Sequence, residues 1–168
     1  MLMSQSAKSN FSAQHVFFYE TEIGAITISE NNGEIVSLCF LNSRPPRTNI
    51  GYTESEVLRE AHAQLKAYLK GQLREFSLPL APCGTEFQIS VWKALCEIPY
   101  GATVSYKDIA VAVNNPKAFR AVGNANNRNP IPVFIPCHRV IASDGKLAGY
   151  GGGIKIKEKL LRLEGVKF

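Results

Sequence analysis

Paired cysteines are missing from this chain. Its four, Cys39, Cys83, Cys96 and Cys137, show no short repeated spacing, and no charged, apolar and small-residue succession marks a secretory signal at the N-terminus. A disulfide framework is therefore not expected, and reduced thiols in a cytoplasmic compartment, or a nuclear one if the source is eukaryotic, are. Long apolar runs are also absent: none approaches the roughly 20 residues a membrane-spanning helix needs, so a soluble protein with no membrane partner is expected. Histidine is scarce, and His15, His62, Cys39 and Cys83 lack metal-ligand spacing, which predicts no metal. The glycine run Gly149-Tyr150-Gly151-Gly152-Gly153 is not followed by Gly-Lys-Ser/Thr, so a phosphate loop is excluded and a loop exposing backbone amides to something flat is favoured.

Acidic residues are scarce in one half only. Residues 1–100 carry 8 Lys+Arg against 10 Asp+Glu (net −2), residues 101–168 carry 11 against 4 (net +7). Basic character concentrated in the C-terminal part suggests a polyanion partner, with nucleic acid leading. At 168 residues and 45% hydrophobic, the chain suits one domain or two small ones with a genuine core.

Residues 1–14 have no periodicity and read as a loose end. From His15 to Phe40, short apolar runs separated by Gly24 and by Asn32-Gly33 predict three antiparallel strands. Arg44-Pro45-Pro46-Arg47 predicts a loop. Thr53 with Glu56 forms a capping-box pattern before Val57, Leu58, Ala61, Leu65, Tyr68 and Leu69 at helical spacing, closed by Gly71. This predicts an amphipathic helix on the sheet, with His62 a packing or surface residue. Leu78 to Pro82 reads as an extended connection, which sets a domain boundary between residues 80 and 81.

Start signals crowd the second half. Thr85 with Gln88 caps a helix carrying Phe87, Val91, Trp92 and Leu95, and Ser105 with Asp108 caps a short helix through Val113. Asn115 then Pro116 predict an N-cap and first-turn proline for a third helix running to Asn126. The two short helices fit a helix-turn-helix whose second member presents Lys117, Arg120, Ala121, Gly123 and Ala125; a simple helical hairpin fits the spacing equally. After a stiff loop through Pro130 and Pro132, Asp144-Gly145 predicts a turn, and Lys155 to Glu164 a final basic helix ending at Gly165.

The run Ile135-Pro136-Cys137-His138-Arg139-Val140 places a potential thiolate beside an imidazole. A cysteine attacks as the thiolate, and its unperturbed pKa of about 8.5 leaves little ionised at neutrality without help. Adjacent side chains diverge, so a relay from Cys137 to His138 needs a bent backbone or a bridging water, and Pro136 can supply the bend. Taken alone, the pair favours a buried inert cysteine after a Val133-Phe134-Ile135 strand, with His138 merely exposed, because such cysteines are common.

Together the ordered motifs Gly84-Thr85-Glu86-Phe87-Gln88, Val91-Trp92, Ile98-Pro99-Tyr100-Gly101, Ser105-Tyr106, Asn115-Pro116-Lys117-Ala118, Arg120-Ala121-Val122-Gly123, Asn129-Pro130, Pro136 to Val140 and Leu160-Leu161 to Gly165 reverse that preference. From Gly84 to Gly165 the chain resembles the O6-alkylguanine-DNA alkyltransferases (methylated-DNA–protein-cysteine methyltransferases). Residues 1–80 resemble that family only in layout. The resemblance implies an α/β (α+β) chain: a small three-stranded antiparallel sheet with a helix, ribonuclease H-like, in residues 1–80, and a helical winged-helix or helix-turn-helix domain for DNA binding and alkyl acceptance in residues 81–168.

It further implies single-turnover repair of double-stranded DNA containing alkylated bases, by a monomer without cofactor. The alkyl group passes irreversibly from O6-alkylguanine, with O4-alkylthymine a second candidate, to the protein's own cysteine. Cys137 stands at the acceptor position, His138 at that of the histidine activating the thiol through a water, and Glu164 at that of the carboxylate orienting it. Tyr106 matches the tyrosine that protonates the departing guanine, and Arg120 the arginine filling the space of the extruded nucleotide. Lys117, Ala121, Gly123 and Arg128 fall on the expected DNA-facing segment. Asn129 matches the brace of the cysteine turn, with Pro132 beside it; Val140 matches a backbone position reading the base, and Tyr150 with Gly151 the alkyl pocket. Gly151 stands where some members have a serine-like residue, and Phe119 where a smaller residue is usual. The zinc ligands of some relatives have no counterpart. Two competing readings are a lesion sensor without transfer, which Cys137 disfavours, and a Cys-His hydrolase, which lacks an oxyanion motif.

Overall fold

The computed structural model describes residues 13–41, 52–147 and 149–168; most of the loose end expected over residues 1–14 and the loop expected at Arg44 to Arg47 lie outside the described residues. The chain divides into two compact units, Met1–Cys83 and Gly84–Phe168.

In the first unit, β1 (His15–Thr21), β2 (Gly24–Asn31) and β3 (Glu34–Phe40) form an antiparallel sheet in that order, as the alternation predicts. Asn32 and Gly33 both take positive φ (51° and 79°), the two-residue turn whose twist matches that of the strands. In the central strand, Ile26 to Glu30 are buried without interruption. A register shift between Ser29 and Glu30 accompanies the bond from Gly33 N–H to Glu30 Oε2, 2.7 Å. The Leu78–Pro82 connection clings to β3: Ile35 N–H donates to Pro79 O and Ala81 N–H to Ile35 O.

Helix α1 (Glu56–Leu69) lays Leu58, Ala61, Leu65, Tyr68 and Leu69 on the sheet. The expected Thr53–Glu56 capping box is not formed. Ser55 occupies the N-cap without a side-chain bond, because Thr53 N–H is already given to Val16 O, 3.0 Å. Packing outweighs the loss: a cap is worth about 1 kcal/mol, whereas each large apolar side chain taken out of water contributes roughly 1.5–3 kcal/mol. The helix closes as the sequence indicates, with Gly71 at φ 70° and its N–H bonded to Tyr68 O. His62 stacks on Tyr19 at 4.1 Å between ring centroids.

The second unit is built around Trp92, 1% exposed, on α2 (Glu86–Cys96). Its indole N–H donates to Ala125 O at 2.9 Å, and its ring stands where a Cβ on Gly84 would be, 2.6 Å away. That is why the motif needs glycine there. Both predicted capping boxes close reciprocally, Thr85–Gln88 on α2 and Ser105–Asp108 on α3 (Tyr106–Ala112). Helix α4 (Phe119–Asn127) packs against α2 and α3. A two-residue parallel pair joins β4 (Val104–Ser105) to β5 (Val140–Ile141), and α5 (Ile154–Leu163) ends the unit.

One boundary differs from expectation. Helix α4 begins at Phe119, not after Asn115. Asn114, at φ 56°, and Asn115 instead close α3, their N–H groups bonded to Val111 O and Ala110 O at 2.9 Å, an asparagine-headed version of the glycine stop. Ala118 N–H donates to Asn115 O, 2.9 Å, so a separate turn intervenes between Asn115 and α4, whose N-cap is Ala118, and Lys117 sits exposed in that turn.

Candidate active site

The segment before the cysteine is a folded knot of prolines held by one amide. Asn129 accepts from Ile131 N–H at 3.0 Å and donates to Ile135 O at 2.9 Å, spanning both ends of the turn. Within it Val133 has φ 75°, a left-handed conformation that costs a β-branched residue strain and that the surrounding packing must hold. The Val133-Phe134-Ile135 strand considered from sequence does not exist. Pro136, at φ −79° and ψ 59°, forms an inverse γ-turn, closed by Cys137 N–H to Ile135 O at 2.8 Å. This is the bend the adjacent Cys-His pair requires. Cys137–Arg139 then make one 3-10 turn.

His138 is fully buried and Glu164 6% exposed. His138 Nε2 lies 3.0 Å from Glu164 Oε1; with a carboxylate opposite, that nitrogen carries the proton and Nδ1 keeps its lone pair. Arg139 grips the same carboxylate, Nη2 at 2.8 Å from Oε1 and Nε at 3.0 Å from Oε2, while its Nη1 donates to Ile98 O at 2.6 Å. Gly101 N–H completes the shell at 3.1 Å from Oε2. A carboxylate at the C-cap of α5 fits the helix dipole poorly, but these donors offset the misfit.

Cys137 is 3% exposed. Burial pushes its thiol up to about 11, against the pull of the Asn129 amide, the Lys157 charge and the Val133 and Cys137 N–H groups. Burial likewise drives His138 below its usual 6.5, with Glu164 opposing. The resting pair is thus a neutral thiol beside a neutral imidazole at pH 7. Lys157, with no exposure, donates from Nζ to Val140 O at 2.6 Å, and burial lowers it to about 8. The Val140 carbonyl thereby has one of its two lone pairs engaged by a buried ammonium. Tyr106, half-buried, has its phenol raised above 10 by burial and by the Cys137 charge. Its ring lies along α4, 3.8 Å from where a Cβ on Gly123 would stand.

The structure therefore gathers Cys137, His138, Glu164, Asn129, Val140 and buried Pro132 around one buried turn, and sets the half-buried Tyr106 ring against α4 at Gly123. Arg120 and Ala121 are exposed on α4, and Arg128 is exposed at its C-cap. Tyr150 is half-buried and Gly151 exposed on the loop before α5. A side chain at 151 would meet nothing within 4 Å and no positive φ forbids it, so the backbone does not require glycine there. Sequence reasoning missed Arg139, Lys157 and Gly101 as members of the cluster. The signal for Lys157 was present: Lys157, Leu160, Leu161 and Glu164 fall at i, i+3, i+4 and i+7, placing two opposite charges on the apolar stripe of a helix. Among the described residues no group of three or more His, Cys, Asp or Glu could hold a metal.

The buried neutral imidazole sets a stability expectation. Its pKa is depressed on folding, so the unfolded chain binds the proton first as pH falls below 6.5, and stability declines there with a slope of up to about 1.4 kcal/mol per pH unit. Urea melts between pH 7 and 5 check it: His138→Gln flattens the slope relative to the parent, and parallel curves rule out the assignment.

Comparison with known proteins agrees along nearly the whole chain. Residues 86–166 match the 6-O-methylguanine DNA methyltransferase DNA binding domain, and residues 15–82 the ribonuclease-like domain of the same family. The methylated-DNA–protein-cysteine methyltransferase of Methanosarcina barkeri is 55% identical over 148 residues, 86% of this chain and 93% of that one. The constitutive enzyme of Bacillus subtilis is 45% identical over 156 residues, 89% and 94% of the two chains. The crystal structure of Mycobacterium tuberculosis OGT in complex with DNA is similar at a TM-score of 0.81 and 43% identity, covering 90% of this chain and 93% of that one. With both halves matched and the cysteine cluster in place, the chain belongs to the 6-O-methylguanine DNA methyltransferase family.

Proposed function

We propose that this protein repairs double-stranded DNA by drawing an O6-alkylguanine out of the helix and taking its alkyl group onto Cys137. The observation that carries the reading is the buried array of Cys137, His138, Glu164 and Arg139, with His138 Nε2 held 3.0 Å from Glu164. Glu164 fixes the imidazole tautomer, so Nδ1 is the base that receives the thiol proton through a water. The sulfur attacks the alkyl carbon, the carbon–O6 bond breaks, and its electrons pass into the purine. Tyr106 supplies a proton to the ring as that charge develops, which lowers the barrier; overall the thiol proton ends on guanine and a thioether on the protein. Because thiols do not cleave a thioether as they do a disulfide, each molecule acts once.

Arg120 on the exposed face of α4 fills the gap in the stack, while Lys117, Ala121, Gly123 and Arg128 lie along the DNA, where small residues admit a close backbone approach. Residues 81–168 thus hold the DNA-binding and acceptor functions. Val140 O receives the extruded base on its second lone pair, and Tyr150 with Gly151 shapes the alkyl pocket. A monomer acting on chromosomal DNA belongs in the cytoplasm, or in the nucleus of a eukaryote. Among the described residues no helix is long and apolar enough to cross a membrane.

Incubation with a duplex bearing O6-methylguanine, followed by intact-protein mass measurement and peptide mapping, tests this: one methyl group is expected on Cys137. Binding without an adduct would reduce the function to lesion recognition. Arg120→Ala is expected to slow transfer from duplex DNA by about 10-fold or more, the scale of lost support for an unstacking cost of a few kcal/mol, and to slow reaction with free O6-benzylguanine far less. Equal losses on both substrates remove the gap-filling role.

A further inference from the structure

We infer that Phe119 acts with Arg120 as a two-residue wedge, its ring stacking on the base that faces the gap when a nucleotide leaves the duplex. The inference rests on the extrusion reading above and extends it to a side chain that takes no part in the chemistry. Phe119 opens α4 and is 39% exposed, on a helix whose other exposed residues, Arg120, Ala121, Asn124 and Asn127, are small or polar. A ring left this open to water forgoes burial energy that a partner surface could recover.

Two contacts place it. The Arg120 guanidinium lies 5.9 Å from the ring centroid, so cation and ring stand together at one end of the helix although neighbouring helical residues diverge by about 100°. Phe119 also shares a helical strip with Gly123, four residues on, and Gly123 faces the Tyr106 ring. At about 100° per residue Gly123 falls about 40° round the helix from Phe119 and about 60° from Arg120, so the ring and the guanidinium flank the strip that faces Tyr106. A base travelling from the stack towards Cys137 leaves its gap beside that strip. Every base presents a π-face, so an aromatic wedge there works without sequence preference, and apolar side chains entering base steps are an established way to hold a duplex open.

Single-turnover methyl transfer by the full chain tests it, using a duplex with O6-methylguanine and, separately, free O6-benzylguanine. Phe119→Ala is expected to slow the duplex reaction about 10-fold, the loss of one base–aromatic stack, with thermal melting and the free-base reaction unchanged; Phe119→Trp keeps the duplex rate. Wild-type speed on duplex for Phe119→Ala, or equal slowing on both substrates, overturns the wedge. Failure of the unaltered protein to take methyl from the duplex is a different result, and it overturns the repair reading on which the wedge depends.

Discussion

Cys137→Ser is expected to end alkyl transfer altogether while leaving damaged-DNA binding in place. The hydroxyl that replaces the thiol ionises many pH units higher, so a neutral imidazole cannot generate its anion, and oxygen is in any case the weaker nucleophile toward an alkyl carbon. The donors around the sulfur, the Asn129 amide and the Val133 N–H, can serve an oxygen equally well. The fold should therefore lose only about 1–2 kcal/mol, from a polar group in a snug site. Mass measurement after incubation with methylated duplex, beside a gel-shift titration, reads both halves. An adduct persisting in the serine variant would move the acceptor to another thiol, and exposed Cys39 and Cys83 are the ones within easy reach of solvent.

Glu164→Gln should be the most damaging substitution that leaves the sulfur untouched, because one carboxylate serves two roles. It orients His138 and it neutralises Arg139 in the interior, with the guanidinium bonded to both of its oxygens. Removing one partner of a buried pair leaves an uncompensated charge, which costs about 3–5 kcal/mol. The amide also allows His138 to turn or take the other tautomer, so the rate of transfer should fall by about 100-fold or more, the scale on which positioned bases contribute. The two effects are separable. Glu164→Gln combined with Arg139→Met removes the stranded cation and should recover most of the stability, measured by urea melts, but none of the rate. Recovery of both together would mean that Glu164 acts only as a counter-ion.

The same carboxylate marks how far the amino acids alone lead. Local chemistry was legible where it is settled within a few residues: the Thr85–Gln88 and Ser105–Asp108 caps depend on side chains three positions apart, and the Asn32-Gly33 hairpin and the glycine stops at Gly71 and Gly165 on the positive φ those residues accept. Reading failed where a backbone group was claimed by something distant or by the neighbouring element. Val16, 37 residues away along the chain, takes the Thr53 amide, and a separate Asn115–Ala118 turn comes between Asn115 and α4, so neither residue caps the helix that follows it. The order of motifs indicated the acceptor cysteine and its histidine, but no spacing rule links Ile98, Gly101, Arg139 and Glu164.

The sequence by itself determined the three strands of the first unit, the presence of the helices, two of their caps, the bend at Pro136 and the candidate nucleophile, since each follows from short-range sterics and hydrogen bonding. Only the tertiary structure decided that His138, Arg139 and Lys157 are buried, that one carboxylate answers two of them, and that Phe119 lies open to solvent at the head of α4. Charge state and access depend on the dielectric and the donors that folding gathers from remote parts of the chain, and these do not exist until the chain has packed.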